Sequence, residues 1–166
     1  MNGKTPVERS RKWPDVAADP GAGRKPVAML NKNCSKRKLT RKEQRDLDIE
    51  ISFMEGVVQR DAKYVEAWKA LSECYCRRGF FERGLHADVN LARLQPDDPA
   101  VLYDLACGYA LLQQTEEAIT ALMKAIAHGF NNFKWLLKDP DLTRVRKDKL
   151  FKRVWTKISS AQTDAV

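Results

Sequence analysis

Two stretches of the chain, VEAWKALSECYCRRG and PAVLYDLACGYALLQ, fall into register when one is slid 34 residues along the other. Trp68 then lies on Leu102, Leu71 on Leu105, Tyr75 on Tyr109 and Leu91 on Ala125. A period of this length constrains the fold more than any other feature. It implies stacked supersecondary units, none of which can bury its apolar face alone, so that about three must pack in series to form a core.

Each unit reads as two helices joined by a short turn. The first unit, 65–98, predicts helices near 65–78 and 81–94, with Gly79 supplying the left-handed turn between them and Pro96 closing the unit. The second, 99–132, predicts helices near 99–112 and 115–128. Pro99 suits a first helical turn, Thr115 reads as the cap of the second helix, and Gly129 as its end. Before them, Thr40 and Glu43 form a T-x-x-E capping box that opens a helix running to about Arg60. Leu47, Ile51, Met54 and Val58 make one apolar stripe on it; Ile49, Phe53 and Val57 make a second, which predicts burial on two sides. After the repeats, Trp135, Leu136 and Leu137 are expected to anchor a closing segment. Leu150, Phe151, Val154, Trp155 and Ile158 are expected to seal the open end, with Lys149, Lys152, Arg153 and Lys157 facing water.

Residues 1–39 read differently. Pro6, Pro14, Pro20 and Pro26, with Gly3, Gly21 and Gly23, break any helical period, and Ala28-Met29-Leu30 is the main apolar cluster. Such a segment buries too little surface to offset its ordering entropy and is expected to be a disordered tail. The resulting division is 1–39 tail, 40–158 helical domain and 159–166 disordered end. Within the domain, 41–64 is a half unit, 65–98 and 99–132 are full units, and 133–158 is a cap.

Charge follows this division. Residues 1–46 carry 13 Lys/Arg against 5 Asp/Glu, residues 47–132 carry 8 against 13, and residues 133–166 carry 9 against 4. An acidic centre thus lies between two basic ends. The longest apolar runs are a few residues, far below the roughly 20 of a membrane span. The opening MNGKTPVERSRKWP holds no apolar signal region. The four cysteines, Cys34, Cys74, Cys76 and Cys107, form no C-x2-C pair, and His86 and His128 stand far apart. No zinc spacing results, and the expectation is reduced, mostly buried thiols in a cytoplasmic protein.

The repeat positions resemble those of tetratricopeptide repeats. Trp68, Leu71, Tyr75, Gly79, Leu91 and Pro96 stand at the family's signature places in the first unit. Leu102, Leu105, Ala106, Tyr109, Ala118, Leu122 and Ala125 stand there in the second. NFKWLLKDPDLTRVRKDKLFKRVW resembles the closing segment of a compact bacterial subgroup, and the likeness covers about 41–158. It implies an all-α, right-handed superhelical stack ending in a capping helix. Five residues depart from the pattern: Ser72 for Gly, Gly84 for Ala, Asp88 for an aromatic, Gln113 for the turn Gly and Phe130 for the closing Pro. They point to a looser first unit and a polar contact near Asp88.

No phosphate-binding glycine loop, G-x-S-x-G or H-E-x-x-H appears. The pairs Asp97/Asp98 and Glu116/Glu117 sit at helix starts, where they complement the helix dipole. The expectation is a non-catalytic module with no cofactor and no metal, binding a protein or peptide on its concave face. Spacing of 3 and 4 along the first helix of each unit puts Glu66, Lys69, Glu73 and Arg77, then Tyr103, Asp104, Cys107 and Leu111, in that groove, extended by Lys134 and Lys138. Some family members clamp a chaperone's C-terminal carboxylate. The resemblance places Lys69, Lys134 and Lys138 at clamp positions, but Glu73 and Asp104 stand where the clamp needs Asn and would repel the ligand. The alternative is a nucleic-acid- or ribosome-associated protein using its basic ends, with Lys36, Arg37, Lys38, Arg41 and Lys42 on phosphate.

Overall fold

The computed structural model describes the backbone of residues 38–163 and the side chains of residues 38–156. Lys36 and Arg37, nearly all of the 1–39 tail, and the side chains of Lys157 and Ile158 lie outside the described residues. Those described are all-α. The order is α1 (Arg41–Arg60), α2 (Val65–Arg78), α3 (Phe81–Leu94), α4 (Pro99–Leu111), α5 (Thr115–Ala127), α6 (Phe133–Leu136), a 3-10 turn (Val145–Lys147) and α7 (Lys149–Thr163). The last helix runs five residues past the expected boundary at 158.

Each start and stop follows from local chemistry. The capping box at α1 forms in both directions: the Glu43 amide donates to Thr40 Oγ1 at 3.2 Å and the Thr40 amide to Glu43 Oε2 at 2.8 Å. Gly79 takes φ +82° and ends α2. Asp98 caps α4, its Oδ1 accepting from the Ala100 amide at 2.8 Å and the Val101 amide at 3.3 Å, with Pro99 in the first turn. Gln113 adopts φ +63° in the second unit at the place Gly79 holds in the first. Thr115 is not a cap. It is the first helical residue of α5, and the Gln114 carbonyl before it already accepts from the Ala118 amide at 3.0 Å.

From α1 to α5, helices pack mainly on their neighbours in sequence: α1 on α2, α2 on α3, α3 on α4 and α4 on α5. Two apolar clusters result. One joins Leu47, Ile51, Val58, Trp68, Leu71, Tyr75 and Leu91; the other joins Leu102, Ala106, Ala118, Leu122, Phe130 and Leu136, with Leu142, Val145 and Phe151. Trp68 keeps its indole satisfied by donating from Nε1 to the Ala62 carbonyl at 2.8 Å. Tyr75 donates to Glu55 Oε1 at 2.8 Å, and the Arg83 guanidinium lies 4.5 Å over the Tyr75 ring.

The two-sided burial expected for α1 does not occur. Ile49 is 70% exposed and Phe53 66%, because among the described residues α1 packs mainly on α2. Leu137 and Leu150 are likewise exposed, at 47% and 39%. Leu136 and Phe151, next to them, take the buried positions instead.

Gly56 lies in the interior of α1, and an added Cβ would meet nothing within 4 Å. Gly56→Ala is therefore expected to stabilise the fold by about 0.5–1 kcal/mol, as the helix loses a flexible residue without a clash. Chemical denaturation at equilibrium checks this.

Candidate functional site

The ten residues expected to line one groove divide into two sets. On α2, Glu66 and Arg77 are exposed and Glu73 is half-buried. Lys69 is not free: only 8% of it is exposed, and its Nζ lies 3.8 Å from Glu66 Oε1. On α4, Tyr103, Asp104 and Cys107 are buried, which corrects their assignment as open groove residues. The cause is the segment after α5. The Tyr103 ring stacks on Phe130 with centroids 4.4 Å apart and planes within 5°, and its hydroxyl donates to Asp139 Oδ2 at 2.7 Å. Cys107 Sγ lies 3.8 Å from the same oxygen. The closing segment thus folds over the part of α4 that periodicity left open. Leu111 stays half-buried, and Lys134 and Lys138 are exposed.

What remains is a crevice between α2, α3 and α4, bounded by the turn that follows Asp139. Its free interior is about 10 Å³, room for little more than one water molecule, and its wall includes Ser72, Cys76, Asp88, Gly108, Leu111 and Asp141. Ser72 and Asp88, both almost fully buried, are joined by a hydrogen bond from Ser72 Oγ to Asp88 Oδ1. Gly108 makes room for that carboxylate, since a Cβ there would stand 2.9 Å from Asp88 Oδ2 and 3.3 Å from Leu85 Cδ1. Asp139 holds the turn: its Oδ1 accepts from the Asp141 amide at 2.9 Å. The Arg146 guanidinium donates to the Leu136 carbonyl at 3.2 Å and to the Asp139 carbonyl.

Three of the five departures from the repeat pattern, Ser72, Gly84 and Asp88, line this crevice. They were the available signal for it. The share of the closing segment was not visible, because nothing in the spacing connects Tyr103 to a carboxylate 36 residues later.

Burial favours the neutral forms of Tyr103, Cys74 and His86. Burial pushes the Tyr103 phenol well above the ordinary tyrosine range, helped by neighbouring Cys107 and the Asp139 carboxylate. Burial and then Glu50 push the Cys74 thiol up to about 12. Burial, and secondarily Arg93, lowers His86. Cys74 and Cys107 are free thiols, but Cys76 is disulfide-bonded, which corrects the expectation of four reduced cysteines. Cys74 and Cys76 lie about 200° apart around α2. Cys74 turns toward Glu50 of α1 and Cys76 toward the crevice.

Three measurements follow from this geometry. Tyr103→Phe leaves the buried Asp139 oxygen with only the weak Cys107 thiol as donor and is expected to cost about 1–3 kcal/mol. Gly108→Ala is expected to destabilise, whereas Gly84→Ala is tolerated because its Cβ meets Tyr75 Cβ at an ordinary 3.7 Å; paired thermal melts distinguish the two. His86, whose folded pKa lies below the unfolded value of about 6.5, makes no contribution above that pH. Below it the unfolded chain takes up a proton that the folded chain resists, so stability falls until the pH passes the folded pKa. The slope of stability against pH below about 6.5 should shrink in His86→Gln.

Comparison with known proteins adds little to this description. No family model matches the chain. The chain is 31% identical over 80 residues to a chloroplastic protein of Arabidopsis thaliana. That match covers 46% of this chain and spans about a quarter (24%) of the longer plant protein.

Proposed function

We propose that the chain is a non-catalytic protein-interaction module of the tetratricopeptide-repeat type. Its helix pairs stack as a right-handed superhelix, and it acts in the cytoplasm. The partner is a peptide or a segment of another protein, taken along the open face of α2 and across the mouth of the crevice. The observation that carries this reading is the crevice itself, formed where two units in 34-residue register meet and floored by small residues at Gly84 and Gly108. Two carboxylates, Asp88 and Asp141, stand in its wall with no Lys or Arg among the lining residues, which favours a donor-rich or cationic side chain. Glu66 and Arg77 are exposed and Glu73 is half-buried on α2, the helix that also carries Ser72 and Cys76 of the crevice wall. Tyr103 belongs to the core that shapes the site, and Cys107, though buried, stands in the crevice wall.

A second reading uses the basic ends. Lys38, Arg41 and Lys42 are exposed at the start of α1, and Lys147, Lys149, Lys152 and Arg153 at the other end of the chain. Such clusters suit phosphate, and binding through them weakens steeply with salt.

The test is capture from nuclease-treated lysate with the full chain and with a Glu73→Lys/Arg77→Glu variant, each checked for unchanged helicity. The module reading expects the same protein to be retained by the wild type at about 0.3 M salt and lost with the variant. Retention of nucleic acid or ribosomal particles that nuclease or salt removes would replace it with the second reading. Equal retention by both baits would remove the crevice and its rim as the site.

A further inference from the structure

The uncovered face of α1 is symmetric about Phe53. Asp46 and Arg60 stand seven residues before and after it, and Ile49 and Val57 stand four residues before and after it. At about 100° per residue, all five lie at least about 120° around the helix from Ile51. Ile51, with Leu47 and Val58, is buried in the cluster shared with α2, so the five belong to the opposite side of α1. Asp46, Ile49, Phe53 and Arg60 are exposed, and Gly56 and Val57 are half-buried. We propose that this face pairs with the same face of a second copy of the chain, the two α1 helices running antiparallel about a two-fold axis at Phe53.

Charge selects this occupant and this register. Antiparallel pairing about Phe53 sets residues equally spaced on its two sides against each other. Asp46 of one copy then meets Arg60 of the other, and the symmetry makes that contact twice. Among the described residues no ion pair engages either side chain within one copy. Parallel pairing would set Asp46 on Asp46 and Arg60 on Arg60, which repel. Moving the antiparallel axis about half a turn, to Ile51, would set Lys42 on Arg60, which also repel.

Shape agrees with charge. Phe53 packs on Phe53 at the axis, and Ile49 falls over the step from Gly56 to Val57. Gly56 carries no side chain to hold the two helices apart, and the space at its Cβ position is empty to 4 Å. Burial of Phe53 and Ile49 supplies the attraction; the exposed ion pairs contribute little and set the direction.

Size sets the strength. From Asp46 to Arg60 the face runs about 21 Å along a helix about 10 Å across. One helix face of that extent falls short of the roughly 800 Å² per partner of a standard interface. The dimer is therefore weak and concentration-dependent. The pairing uses no residue of the crevice wall and stands apart from the proposed function. Only its consequence, two partner sites in one assembly, rests on that reading.

The test is sedimentation equilibrium of the full chain at about 50 mM salt, where exposed charges are least screened. Covalent dimers are removed first under non-reducing conditions, and every variant is checked for unchanged helicity. Wild type should show a monomer–dimer equilibrium between about 10 μM and about 1 mM. Phe53→Glu should abolish it. Asp46→Arg and Arg60→Asp should each weaken it about tenfold or more, since two attractive pairs become two repulsive ones. Mixing those two variants should restore association to about the wild-type strength, because each then meets its opposite charge. Loss of folding in either variant could not produce that rescue. A chain that stays monomeric throughout, as it would with residues 1–37 seated on the face or with the face kept for a different protein, would overturn the proposal. So would a dimer that Phe53→Glu leaves intact, or a mixture that associates no more tightly than its two components. None of these readouts needs a partner protein, so their failure is distinct from failure of the interaction module.

Discussion

The bond from the Tyr103 hydroxyl to Asp139 is the contact on which the shape of the C-terminal half depends. It ties the middle of α4 to the turn after α6, and the parallel stack of Tyr103 on Phe130 fixes the angle at which the chain leaves α5. Through Asp139 the same contact sets the Asp141 turn and so one wall of the crevice. A phenol and a carboxylate shut away from water interact strongly because neither has solvent to return to. The position therefore tolerates little change, although in sequence it reads as an ordinary groove residue.

The first unit meets a similar demand differently. Its α2 carries Tyr75, whose hydroxyl also ends on a carboxylate, but Glu55 belongs to the preceding helix and Arg83 to the following one. One unit is therefore pinned backwards and forwards along the stack, and the other is pinned by a segment that doubles back over it. Where the two arrangements meet, the Ser72–Asp88 couple replaces apolar packing, and Gly108 leaves room for the Asp88 carboxylate. A polar pair in that place is stable only while it is fully hydrogen-bonded, which accounts for the tight steric limit at Gly108.

The sequence made most of this architecture legible. The 34-residue register located four helices to within a residue at either end, and the T-x-x-E box located α1. Thr115 misled because a Thr before an apolar run resembles a cap whether it lies just outside the helix or just inside it. Ile49 and Phe53 misled because periodicity shows that a face is apolar but not that something covers it. At the candidate site, Glu66 and Arg77 of α2 are exposed, whereas Lys69 of α2 and Tyr103, Asp104 and Cys107 of α4 are buried. Spacing on one helix cannot reveal a distant segment folding back onto it, and that segment covers Tyr103 and Cys107.

The uncovered row on α1 gives the stack a direction. At its C-terminal end, Leu142, Val145 and Phe151 close the core, and any added helix would have to displace them. At the other end, Ile49 and Phe53 already present an apolar face to solvent. Lengthening the array by a further helical pair is therefore an addition at α1 and a replacement at α7, so growth of this architecture is physically easy from one end only.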